Sequence, residues 1–431
     1  MKRFVVALCV LASGWPASSQ SELPPRVLQL AELKRNIKTR LARLPNYTCL
    51  ETIERSQRKN ARQAFRYLDT VRMEVAAVKD REVYAWPGAT EFGDRDITEI
   101  VGAGMIGGGS FAEEIRSIFV NNASTIIWHG EEQRFGRRAL RWDYRIPYNL
   151  SGWTVRTGKA SGRVSAAGAF WVDAETLDLL RIESNAADIP PDLPFAAVRT
   201  TLDYARVRIA AADLLLPQSA ELILTEVTGH ESRNRIEFSH CREFGANTML
   251  TFEPPPTVAP APAAVQVDEI SLPPGVGLPV RLAHAIDSQS AAVGDAVSAI
   301  VESRVEQKGS TVIPQGAVLR GRIRRFERDS TPADHYVVGL EFTDLEFPGY
   351  HARFLGEKVF VDALPNLQWL LSTSRTKTLE LGIRGGIMTN SETEVYRAIP
   401  IPGVTIFFME ATKFRLPAGL HMTWRTVSVA K

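Results

Sequence analysis

The chain has 431 residues but only 3 cysteines and 7 histidines, almost no net charge, and no apolar run long enough to cross a bilayer. Each scarcity excludes something. Three cysteines exclude a disulfide-dense scaffold. The histidines are scattered, and the closest pair, His230 and His240 with Cys241 beside it, matches neither HExxH nor a standard zinc spacing. Neither a metal nor any other cofactor is therefore expected. Lysine and arginine number 51 against 49 acids, and removing Lys2 and Arg3 with a leader would leave 49 against 49. A neutral chain has no general electrostatic attraction for nucleic acid, which usually calls for a basic surplus. Neither GxSxG nor SxxK occurs, so the common serine-nucleophile motifs are missing. Asp173 and Glu175 lie two apart beside an expected turn, and read as a solvated hairpin tip rather than a glycosidase pair. Gly102-x-Gly104-x-x-Gly107 matches the dinucleotide fingerprint as a string, but has no βαβ unit around it. It reads as a glycine loop. Apolar residues at 45% and charged residues at 23% are ordinary for a globular chain and exclude wholesale disorder.

The N-terminus reads as an address. Lys2 and Arg3 precede the apolar run Phe4–Ala12, and Ala17 and Ser19 occupy the −3 and −1 positions of a cut after Ser19. This is the pattern of a secretory signal peptide over residues 1–19, and the run is too short for a membrane span. The expected location is across the inner membrane, in the periplasm, with outer-membrane association open. The mature chain then keeps Cys49 and Cys241, which in an oxidising compartment are expected to pair. Two buried free thiols are the alternative.

The sharpest compositional break is EPPPTVAPAPAAVQV, residues 253–267, an extended Pro/Ala-rich linker. It separates an expected domain at 22–252 from one at 268–431. The first opens with a helix, since Leu30, Leu33, Ile37, Leu41 and Leu44 recur at helical spacing and Pro45 ends the run. Phe111–Val120 reads as a second helix. Between them and beyond, apolar residues alternate: Val71, Met73, Val75; Leu140, Trp142, Tyr144, Ile146; Ile236, Phe238. These are half-buried antiparallel strands, with turns near 131–136, 173–177, 210–213 and 228–234. The second domain is nearly all strand, punctuated by Pro and Gly, and 356–398 reads as a long excursion. The fold class is thus an α+β domain with a curved antiparallel sheet, followed by an all-β small barrel or sandwich.

Two strands of the first domain are apolar on both faces, Ala169–Val172 and Ala220–Val227. Such a sheet must be covered twice, by helices or by a ligand. Trp142, Phe170, Trp171, Leu222 and Leu224 are therefore candidates for the wall of an apolar cavity, with ordinary core packing as the alternative. No catalytic residue is nominated.

The stretch FWVDAETLDLLRIES (Phe170–Ser184) resembles a hairpin of Lol-type periplasmic lipoprotein carriers, and Leu202–Leu222 resembles their next hairpin. The resemblance implies an incomplete barrel wrapped over helices, with acyl chains on its concave side. LPNYTC (Leu44–Cys49) together with FSHCREF (Phe238–Phe244) resembles a group of exported proteins of the acidobacterial type. TVIPQGAVLRGRI (Thr311–Ile323) resembles a strand pair in the small periplasmic barrel of TrbI-like secretion proteins. The expectation is a non-catalytic envelope protein that binds a lipid, a lipoprotein or another apolar ligand. An interaction module docking on an envelope protein partner is the second reading, and a hydrolase with dispersed residues the third.

Overall fold

The computed structural model describes residues 23–78, 81–89, 92, 97–101, 106–107, 113–157, 160–243, 268–270, 272–307, 310–329, 334–364, 367–369, 403–409 and 411–427. The expected leader 1–19 and linker 253–267 lie outside the described residues, as does most of the 356–398 excursion.

Residues up to Arg43 form a unit of their own containing helix α1 (Pro25–Ala42). It starts before the leucine stripe because Pro25, at the first turn, has no N–H to leave unpaired. The Arg43 N–H closes the other end on the carbonyls of Arg40 and Leu41.

From Leu44 the chain is mainly strand. The first part holds β1 (Tyr47–Arg58), β2 (Arg66–Val78), β3 (Arg81–Ala85), α2 (Ile97–Val101), α3 (Glu113–Ile115) running into a π-helical turn at Arg116–Val120, β4 (Thr125–Arg134) and β5 (Arg137–Ile146). It continues with β6 (Thr154–Thr157), β7 (Ala160–Arg163), β8 (Ser165–Asp173), β9 (Leu179–Ala187), β10 (Phe195–Ile209), β11 (Ala212–Glu226) and β12 (Glu231–Glu243). Ten of these strands form one sheet in the order β3-β2-β1-β12-β11-β10-β9-β8-β5-β4, while β6 and β7 pair as a separate hairpin. Irregular registers at Thr48/Leu50, Asp203/Tyr204 and Trp171/Val172 bend the strands, and the sheet curls into a half-barrel. Cys49 and Cys241 form a disulfide joining β1 to β12 across 192 residues.

The second part begins with β13 (Asp268–Ile270), β14 (Gly277–Leu282), β15 (Ile286–Asp287), β16 (Ala296–Val301), β17 (Val305–Gln307), β18 (Ser310–Ile313) and β19 (Val318–Asp329). Next come β20 (His335–Phe347), β21 (Tyr350–Arg353), β22 (Gly356–Val361), β23 (Leu367–Trp369), β24 (Val404–Met409), β25 (Arg415–Leu416) and β26 (His421–Thr426). The main path is β13-β21-β20-β19-β16-β14-β26-β22, and β24, with β23 beside it, adds to β20 off that path. The Lys358 N–H of β22 donates to Thr405 Oγ1 of β24 at 3.4 Å, so the last strand of the path comes back to the strand added on β20, as in a small barrel. Phe342 and Trp424 pack edge to face inside it, 4.9 Å apart.

The two sheets are joined through the backbone. β3 pairs with β2 only over Glu74–Val78. Below that, the open edge of β2 is taken by the loop before β16. Arg72 N–H donates to Val293 O at 2.8 Å, and Val293 N–H donates to Thr70 O at 2.9 Å. Arg72 also forks onto Asp295. A strand edge that would be exposed is thereby covered. Gly294 makes the approach possible. Its φ is +99°, and a Cβ there would meet the Arg72 carbonyl and the Trp86 ring.

Candidate functional site

In an antiparallel sheet, residues paired across strands share a face. Following the register from Trp142 gives Phe170, Ile182, Leu202, Ala220, Ile236, Ile53 and Val71, one residue on each of eight adjacent strands. All eight are buried. This continuous apolar row marks the inner face of the half-barrel.

The segment after α3 lies over one end of it. Phe119 of the π-helical turn meets Phe170 edge-on at 4.8 Å, and Phe170 stacks on Trp142 at 5.5 Å. Trp128 meets the other side of Trp142 at 4.9 Å. Leu222 and Leu224 share this face, but belong to a separate cluster with Val155, Val164, Leu193, Phe195 and Val198. Gly107 packs directly on the Leu222 side chain. Trp171 stands on the opposite face. There its ring is covered by the guanidinium groups of Arg134 and Arg141, at 4.1 and 5.2 Å, and its indole N–H donates to Glu132. The five residues nominated from the sequence therefore do not form one wall. Four lie inside in two clusters, and Trp171 is outside under arginine stems.

Polar groups are set into the inner face. On β1, the residues Tyr47, Cys49, Glu51, Ile53 and Arg55 alternate inward. Glu51 is fully buried between Phe238 and Met73, its cross-strand neighbours. Neither carboxylate oxygen has a hydrogen-bond partner among the described residues. Burial, reinforced by Glu82, holds its carboxyl well above the ordinary carboxylate range. The Tyr204 hydroxyl is likewise buried and unpartnered among the described residues. Burial pushes its ionisation up, helped by Glu114, Tyr47, Glu82 and Tyr144. Tyr144 donates to Ser184 Oγ at 2.5 Å, and Ser184 in turn donates to Glu114 on α3. Tyr84 donates to Glu82 at 3.0 Å. One row away, Arg55 and Asp69 form a buried two-pronged ion pair, Nε–Oδ1 2.7 Å.

Glu51, Tyr204 and Glu114 were missed by the sequence reading. The signal present was a carboxylate at an inward position of an alternating strand, visible only once the register was known. The second barrel holds another such group. Lys358 points inward beside Trp424, its ammonium 4.3 Å from the Phe407 ring centroid, and burial draws its pKa down to about 8. A register shift between Lys358 and Phe360 turns Phe360 out to solvent. Among the described residues no cluster of three His, Cys, Asp or Glu could hold a metal, and no helix is long and apolar enough to cross a membrane.

No family model matches the chain, and no curated protein matches it. Among solved structures, it is similar to a domain described as an outer membrane lipoprotein-sorting protein from Vibrio parahaemolyticus, at 14% identity and a TM-score of 0.29, over 51% of this chain and 93% of that one. It is also similar to a DUF1329 family protein from Desulfovibrio piger ATCC 29098, at 12% identity and a TM-score of 0.28, over 53% of this chain and 96% of that one. Neither likeness bears on what this chain binds.

Proposed function

We propose that the chain is a non-catalytic envelope protein whose half-barrel binds an acyl chain, of a lipid or of a lipoprotein, along its inner face. The observation that carries the reading is the apolar row from Trp142 to Val71, unbroken over eight strands and flanked on the same face by the buried Glu51 carboxyl and Tyr204 hydroxyl, neither of which has a hydrogen-bond partner among the described residues. A core evolved only for packing satisfies such groups or omits them. An apolar cavity with a few polar groups is what a lipid site requires. The cover at the aromatic end is short. α3 and its π-helical turn span eight residues, and π-helical turns concentrate at functional sites. Lifting Phe119 from Phe170 would open the row to a chain. The disulfide and the leader-like N-terminus support an exported location.

Lipid mass spectrometry on detergent-free protein from the envelope fraction tests this. A stoichiometric acyl species is the expected result, retained in Trp171→Ala on the outer face. Phe119→Ala, which loosens the cover, is expected to speed exchange of the bound species. An apo protein that also fails to take up dodecan-1-ol would sink the reading. Crosslinking in cells would then look for a docking partner.

A further inference from the structure

We propose that the inner face of the half-barrel receives an ammonium group carried on an apolar chain, with the Glu51 carboxylate as its counter-ion and the Tyr204 hydroxyl, on the same face, as a further acceptor. The inference rests on the acyl-chain reading above and names the head-group chemistry.

The first ground is Glu51 itself. A fully buried carboxyl whose two oxygens have no hydrogen-bond partner among the described residues is among the costlier things a core can contain. An ammonium supplies what both oxygens need, a positive charge and three N–H donors. The second ground is independent of that carboxyl. The Tyr204 hydroxyl, buried on a different strand and also without a hydrogen-bond partner among the described residues, lies within electrostatic reach of Glu114, Glu82, Tyr47 and Tyr144. Its oxygen is free to accept from a donor. The third ground is the sign of the surroundings. The groups acting on Glu51 and Tyr204 are acids and phenols. The nearest cation along β1, Arg55, is committed to Asp69.

This chemistry discriminates among ligands. A fatty acid would bring a further carboxylate among Glu51, Glu82 and Glu114, and is disfavoured. A long-chain alcohol offers one donor and no charge. The apolar row from Ile53 across to Trp142 takes the tail in each case. On binding the ammonium, Glu51 gives up its proton to solvent and the pair forms as carboxylate and ammonium. The other titratable groups facing this site are Glu82 on β3, Glu114 on α3 and the tyrosines Tyr47, Tyr144 and Tyr204.

The experiment is calorimetric titration of the full, disulfide-intact chain with dodecylamine and dodecanoate below their micellar concentrations and dodecan-1-ol below its solubility limit. The amine is expected to bind about 10-fold or more tighter than the alcohol, with dodecanoate weakest, since a charge-assisted pair contributes roughly 1.5–3 kcal/mol. Glu51→Gln, which mimics the protonated side chain and keeps the fold, should remove about 10-fold from amine affinity and leave the alcohol unchanged. Tyr204→Phe should weaken the amine by a smaller factor. Titration in buffers of different ionisation enthalpy should show proton release on binding the amine, and none in Glu51→Gln. Equal binding of amine and alcohol, tightest binding of dodecanoate, or an amine affinity indifferent to Glu51→Gln would each overturn the head-group inference while leaving the acyl-chain reading standing. Failure of all three probes to bind would take down the acyl-chain reading itself.

Discussion

Replacing Glu51 by methionine keeps the length of the side chain and removes its two oxygens. The site is lined by Met73, Phe238 and Ile53, which suit a thioether. A buried polar group without a partner costs about 1–3 kcal/mol, so Glu51→Met should stabilise the ligand-free protein by about that much at pH 4. The gap then depends on pH in a defined direction. Glu51 is raised well above its ordinary 4.5 in the folded state. Above pH 4.5 the unfolded chain loses this proton while the native chain keeps it. Wild-type stability therefore falls with rising pH relative to the variant, by up to about 1.4 kcal/mol per pH unit until the buried group ionises. For a sheet of this size each kcal/mol moves Tm by about 2–4 °C. Thermal melts of both proteins at pH 4, 5.5 and 7, without ligand, read the effect directly. A variant less stable than wild type, or a gap that does not widen with pH, would show that Glu51 is ionised and paired. That result would remove the basis for a site at this carboxyl. A stabilising substitution that abolishes amine binding is the usual signature of a functional group held at a stability cost.

The other predictions concern the frame. Reducing the disulfide, or Cys49→Ser with Cys241→Ser, should lower stability by up to about 5 kcal/mol on loop-entropy grounds, read by urea titration with and without reductant. An unchanged midpoint would mean that the β1–β12 pairing alone restrains the unfolded chain. At the junction, Gly294→Ala should cost at least about 1–3 kcal/mol, because it combines a positive φ with a collision at the Arg72 carbonyl, and it should speed proteolysis between the two sheets. Arg72→Ala, whose ion pair with Asp295 is about a third exposed, should cost under about 1 kcal/mol; the reverse ranking would refute the reading of that contact. Lys358→Met should be more stable than wild type below pH 8. Between about 8 and 10.5 the folded lysine has lost its proton and the unfolded one has not. Wild-type stability then rises by up to about 1.4 kcal/mol per pH unit and the advantage shrinks, which denaturation at pH 7, 9 and 10.5 measures.

What was readable from the sequence was local and periodic. Val71, Met73 and Val75, and Leu140 to Ile146, announce half-buried strands because every second side chain is apolar. The turn at 173–177 follows from a short polar break between such runs, and the one at 210–213 from a run of small alanines closed by Asp213. The pairing of Cys49 with Cys241 followed from counting, since an exported chain leaves few other fates for two thiols. The run Phe111–Val120 reads as helical, and the structure describes it as such from Glu113 on, residues 111–112 lying outside the described ones; the π-helical turn was not legible, because one extra residue per turn leaves no mark in the spacing of so short a segment.

The candidate site was harder to read for a reason that lies in the chemistry of strands. In Phe170-Trp171-Val172 every residue is apolar, so the alternation that assigns a face is missing. Only the pairing of Phe170 with Trp142, and of Trp171 with Arg141, separates inside from outside. A tryptophan on the outer face would normally need a second layer of structure. Here Arg134 and Arg141 cover it with their own side chains, and arginine in a sequence reads as solvent-facing. The same ambiguity runs the other way for Glu51 and Lys358. Both sit at inward positions, where a charge reads from sequence as a break in the pattern rather than as a feature of it. A double-sided apolar strand thus overstates the number of cavity residues, and a charge inside an alternating strand understates it. The pairing register resolves both, and sets Glu51 on the inner face beside the apolar row that Trp142 and Phe170 begin, while the bond from Ser184 brings Glu114 of α3 to that face.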